Sequence, residues 1–175
     1  ARFFAPAGAF GAQSLKEEIE IFRWGYKEVE EYIPSLLRAG DQDQKEKLDT
    51  AFYDLRKMAR ERGYSYFYEV LEFMRSDLLP EEKGWAELVR GSYKATWGKL
   101  YNQLKGFEAK YEGLITNYPA EVVELPYERI GNREVWVVDI QQLSFYPRKL
   151  VFEKVVTEFL ARLEARKLKV DKIIL

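Results

Sequence analysis

The chain of 175 residues sets 28 Lys+Arg against 29 Asp+Glu, for a net charge of −1, and contains neither His nor Cys. Without thiol or imidazole it can assemble no Cys nucleophile, no Ser-His-Asp triad and no His- or Cys-ligated zinc site. The near-neutral balance argues against a protein that coats nucleic acid by bulk positive charge, and leaves local basic surfaces open.

Residues 1–13, ARFFAPAGAFGAQ, place Phe3, Phe4 and Phe10 among Ala, Gly and Pro, with neither strand alternation nor a helical stripe. They read as an apolar arm that packs on its own domain or on a neighbouring subunit. Ser14 followed by Glu17 is a capping box and Pro34 a stop, which predicts a helix over 15–33. Its inward seam is Leu15, Ile19, Phe22, Tyr26, Val29 and Ile33. Trp24 falls on the opposite side, as a subunit contact. A second helix starts at Asp41 or Asp43, turns Leu48, Phe52, Leu55 and Ala59 inward, and ends at Gly63. Its Arg56, Lys57, Arg60 and Arg62 form a basic cluster, read as a solvated face whose cations complement the helix C-terminus.

A third helix covers 65–79 and stops before Pro80. From 81 to 112 the pattern predicts one long helix with Trp85, Val89, Tyr93, Thr96, Leu100, Leu104, Phe107 and Tyr111 inward. Residues 121–140 read as a β-hairpin turning at Gly131-Asn132, a further helix spans 149–168, and KVDKIIL closes as a short strand. The expected fold is mainly α: an extended N-terminal arm over 1–13, a helical bundle over 14–113, and a small C-terminal β-hairpin plus helix over 114–175. No stretch approaches the roughly 18 apolar residues of a membrane span. The start lacks the build of a signal peptide, so the expected setting is intracellular and soluble.

Tests for catalytic motifs fail. Gly91 and Gly98-Lys99 resemble a phosphate loop, but six residues separate the glycines and Leu100 follows the lysine, where Ser or Thr is needed. The neighbouring acids Glu17/Glu18, Glu30/Glu31 and Glu81/Glu82 would point to different sides of a helix. Asp139, with Gln141 two residues on, faintly matches metal-dependent nucleases and lacks the lysine expected next. No catalytic residue, metal or cofactor is assigned.

The clearest signal is a glycine series, Gly84, Gly91, Gly98, Gly106 and Gly113, spaced 7, 7, 8 and 7. Glycine inside a helix costs about 1 kcal/mol relative to alanine, so a neighbour should compensate. At about 100° per residue these positions form one stripe on the predicted 81–112 helix, away from its core side. Lys83, Arg90, Lys94, Tyr101 and Lys105 flank it on one side, Lys99 and Lys110 on the other. Residues 93–107 hold three Lys, no acid and four aromatics, Trp97 among them. Such a groove suits either a phosphate backbone or a second helix packed closely on the glycines.

An apolar arm leading into long helices resembles the coat proteins of filamentous double-stranded DNA viruses of hyperthermophilic archaea. The composition agrees, with 33% charged residues, no Cys and two Met. The resemblance implies a non-enzymatic capsid subunit that wraps DNA in a helical filament within the virion, assembled in the host cytoplasm beside a related, more basic partner subunit. It implies too that Arg56, Lys57 and Arg60 lie along phosphates. The charge polarity also suits hetero-oligomer contacts, since residues 146–175 carry eight Lys+Arg against four Asp+Glu and residues 16–31 three against six. Two other readings remain: a helical RNA-binding subunit of an intracellular defence ribonucleoprotein, with bases stacked on Trp97 and Tyr101, and a carboxylate-dependent metal nuclease using Asp139.

Overall fold

The computed structural model describes residues 1–7, 19–111, 113–131, 134–165 and 167–168. Helix dominates them, with a small parallel sheet that gives the fold a mixed α/β character. In chain order the elements are β1 (Arg2–Pro6), β2 (Ile19–Phe22), α1 (Tyr26–Val29), α2 (Ile33–Leu36), α3 (Gln42–Glu61) and α4 (Phe67–Phe73). A π-helical turn, Met74–Leu78, follows α4. Then come β3 (Leu88–Val89), β4 (Ser92–Tyr93), α5 (Lys94–Lys110), β5 (Trp136–Val138) and α6 (Phe145–Glu164). No helix among the described residues is long and apolar enough to cross a membrane.

Local signals place α3 where the spacing predicts it. The Asp41 carboxylate accepts the Gln44 amide at 2.8 Å, Leu48, Phe52, Leu55 and Ala59 are buried, and Gly63 follows with φ +70°. The 65–79 segment is helical as α4 and the π turn, and α6 begins earlier than its expected start.

The predicted arm is instead a central strand. β1 pairs in parallel with β2 on one side, Phe3 opposite Ile19, and with β5 on the other, Phe3 opposite Val137. Phe4 is buried and its ring meets Trp136 at 4.6 Å; Phe3 is half-buried on the other face of the sheet. Phe10 lies outside the described residues. The same pairing corrects the helix over 15–33: Ile19–Phe22 is the edge strand β2, and only the single turns α1 and α2 are helical beyond it. Trp24, expected to face outward, is fully buried, between backbone bonds to Leu114 and Thr116.

Two further expectations fail, one because a distant partner outcompetes a local one and the other because a local hairpin outcompetes a helix. The strand at 136–138 pairs with β1, not with residues 121–130, which form short 3₁₀ turns and send Leu125, Tyr127 and Ile130 into the core. The helix over 81–112 is broken, because residues 81–93 make a turn and the β3–β4 hairpin before α5 begins. Arg90 (φ +46°) and Gly91 (φ +88°) form the two-residue hairpin loop, with positive φ at both central positions. A helix there would place Gly84 and Gly91 in its interior, whereas turns use glycine without that penalty.

One apolar core takes in side chains from Phe4 to Leu168. Because Phe4 is 1% exposed within it, Phe4→Ala should lower the unfolding free energy by about 3–5 kcal/mol in urea titration. A loss under about 1 kcal/mol would show that the first strand contributes no core.

Candidate functional site

With 81–112 divided, the glycine series forms no stripe. Gly84 lies in a turn, Gly91 in the hairpin loop, and Gly113 beyond α5 with φ +79°. Only Gly98 and Gly106 are helical, and both are covered by their own chain. A Cβ at Gly98 would come within 2.8 Å of the Trp85 ring, and one at Gly106 within 3.5 Å of the Lys110 Nζ.

The cations chosen with those glycines divide into two groups. Several are structural. Lys94 is buried, and its ammonium donates to the carbonyls of Pro80 (2.6 Å) and Lys83 (2.7 Å) while facing the Trp85 ring at 5.0 Å, which pins the 80–85 turn to α5. Trp97 is fully buried and its indole N–H donates to the Val89 carbonyl at 2.7 Å, so it cannot stack on a base. Tyr101 is half-buried against the core. Lys83 pairs with Glu87 (3.3 Å) and Arg90 with Asp77 (3.8 Å). Arg56 and Arg60 both reach Glu30 and Glu31, so the basic cluster of α3 is a joint to α1.

The other group faces water. Lys57 on α3 and Lys99, Lys105 and Lys110 on α5 are exposed and enter no ion pair with another described side chain. On the α5 wheel Lys99 and Lys110 lie on one flank of the exposed side and Lys105 on the other, more than about 100° away, with Asn102 between them. A continuous helix over 81–112 would turn Trp85 inward. It is 62% exposed instead, against Gly98 of α5. The readable signal was LVRGSY: apolar residues, a glycine at the second turn position and a closing aromatic mark a hairpin that detaches Trp85 from α5.

A second cluster was not legible in the sequence. Lys154 of α6, 2% exposed, lies between Glu124 (3.4 Å) and Glu158, with its ammonium 5.0 Å from the Trp24 ring. Arg162 also binds Glu158 (3.1 Å) and lies 4.1 Å over the Tyr127 ring. The cluster opens into a cleft of about 580 Å³ that Glu28, Glu30, Glu31 and Arg60 also line. Burial pushes the Glu124 carboxyl up against the pull of Lys154. Burial, reinforced by Glu158, pushes the Tyr127 phenol well above its usual range, and burial with Glu30 does the same for Tyr26. Each carboxylate of the cleft already has a partner: Glu28 accepts the Gly25 amide, Glu30 and Glu31 the arginines, Glu124 and Glu158 the lysine. The cleft therefore joins α1, α3 and α6 by self-neutralised charge.

Asp139, the nuclease candidate, donates its amide to the Phe4 carbonyl, and its carboxylate accepts the Gln141 amide at 3.0 Å. Among the described residues no group of three or more acidic side chains is placed to hold a metal ion. No protein-family model matches the chain, and a search of curated proteins finds no match.

Lys154→Met leaves Glu124 and Glu158 without their shared cation. It should lower stability by about 3–5 kcal/mol at neutral pH, part of which Glu158→Gln in the same chain restores; an unchanged urea midpoint would remove the cluster from the fold's energetics. A second outcome concerns alkali. Burial pushes the Tyr32 phenol up from 10.0 to about 12, so above pH 10 the unfolded chain loses this proton first and the unfolding free energy falls as pH rises through 12. Tyr32→Phe should flatten that fall, measured by denaturation at stepped pH.

Proposed function

We propose that this chain is a non-enzymatic subunit of a nucleoprotein assembly, holding nucleic-acid backbone on the outward side of α5. The observation that carries the reading is that Lys99, Lys105 and Lys110 are exposed on the outward side of α5 and enter no ion pair with another described side chain; Lys99 shares a hollow with Asp41 and Asp43, of which Asp43 is held by Lys47. A polyanion gains most from cations that it does not first have to free from ion pairs, and neutralised phosphates release counterions without any base being read. The net charge of −1 leaves such binding to local basic surface rather than to the chain as a whole.

Assembly has separate support. Ile21, Val135 and Val137 are exposed on the outer face of the parallel sheet, and Phe145, Phe152 and Leu160 on the outer side of α6. Parallel sheets are ordinarily covered on both faces, and apolar patches of this kind mark contacts with other chains. A self-assembling coat subunit around double-stranded DNA, beside a more basic partner in a filamentous virion, is the narrower form of the proposal. Arg2–Pro6 of its arm and Ile19–Phe22 of its long first helix are strands, so it stands on the α5 lysines and the apolar faces alone.

Binding to a mixed-sequence duplex should weaken steeply with salt. Lys99→Ala with Lys105→Ala should reduce the slope of log K against log salt by about 2, whereas Lys94→Met should act on stability instead. Fluorescence anisotropy across a salt series checks this, and an unaltered slope in the double variant rejects the α5 lysines as the contact.

A further inference from the structure

We propose that Trp85 is a stacking plate for an unpaired base, so that the nucleic acid on α5 is engaged through a single-stranded segment. This rests on the reading that the α5 lysines meet phosphates, and deepens it by naming an unpaired strand as the occupant in place of the double-stranded DNA of the coat-subunit form.

The argument begins with how an exposed indole is held. A large aromatic that is 62% exposed ordinarily rotates freely or folds away. Trp85 is fixed from four directions. Its six-membered ring lies against the backbone of α5 at Gly98, where even a methyl group would intrude at 2.8 Å. Its carbonyl accepts the Ala95 amide at 3.0 Å, and the Glu87 carbonyl accepts the Lys94 amide at 2.9 Å, which closes the turn around it. The buried Lys94 ammonium lies 5.0 Å from the ring and is itself anchored on two carbonyls of the same turn. The glycine thus gives up a side chain inside a helix so that an indole can lie on it with much of its surface in water. Hydrophobic burial does not explain that arrangement; presentation of a rigid aromatic surface does.

The surroundings select the occupant. On the α5 wheel, Asn102 and Lys105 continue the line that starts at Gly98, while Lys99 lies on the far flank about 100° round the helix and about 9 Å from Lys105 along the axis. A base on the Trp85 ring therefore has cations on the α5 side for its flanking phosphates. The turn on the other side carries Glu81 and Glu82, with Glu87 held by Lys83 and the Gly84 amide. That polarity directs a polyanion along α5 and away from the turn. Paired bases in a duplex keep their faces inside the stack, so only an unpaired one can use the plate; stacking of this kind tolerates any base and is worth about 1–3 kcal/mol.

The test uses the whole chain with a labelled dT20 strand and a 20-base-pair duplex at low salt. Trp85→Ala should weaken dT20 binding by about 5- to 100-fold and leave duplex binding unchanged, Trp85→Phe should retain most of it, and Gly98→Leu, which drives the ring from its seat, should repeat the loss. In the wild-type chain dT20 should quench tryptophan emission and in Trp85→Ala it should not; Trp24 and Trp97 are buried, and this comparison removes the half-buried Trp136 as the source. Equal dT20 affinity in Trp85→Ala, or binding without quenching, overturns the plate while the α5 reading survives if Lys99→Ala with Lys105→Ala still weakens both probes. If the wild-type chain binds neither probe, both readings fall.

Discussion

The structure depends on one strand near the start of the chain. β1 lies between β2 and β5, in parallel with both, and hands Phe4 to the core while Phe3 faces the other side. Parallel pairing supplies backbone hydrogen bonds only to chain that returns from a distance, and β5 is more than a hundred residues away. Once that pairing forms, residues 19–22 take an extended conformation, the 121–130 segment loses its local partner, and Trp24 is enclosed. Contacts of such separation carry a large loop-closure entropy and reward the chain only when complete.

Electrostatics divides along the same line between structure and availability. The most conspicuous cations, Arg56, Arg60, Lys94 and Lys154, are consumed within the fold by carboxylates or carbonyls. Removing Lys154 or Lys94 from water is tolerable because each finds several oxygen acceptors and an aromatic face. The cations left exposed are plainer ones, Lys57 on α3 and Lys99, Lys105 and Lys110 on α5, the latter set on a helix whose buried side is Trp97, Leu100, Leu104 and Phe107. Function here would fall to the residues that the fold did not need.

The glycines show how one composition signal carries two meanings. Five of them at near-heptad spacing looked like a groove along a rod. Four prove to be a turn, a left-handed loop position, a post-helical cap and a site beneath Lys110, and only Gly98 admits a large neighbour. Close approach was the correct physical idea. Its object is an indole of the same chain.

By itself the sequence determined what depends on neighbours three or four residues apart: the cap, length and buried face of α3, the helical 67–78 stretch, α6 apart from its start, and the mainly helical character. It also settled what no fold can supply, the absence of thiol and imidazole chemistry. Strand partners, the outward or inward side of Trp24, Trp85 and Trp97, and the status of each cation were decided only by tertiary structure. Those outcomes turn on free-energy differences between local and distant partners, and a periodicity reports which face of an element is apolar without saying what lies against it.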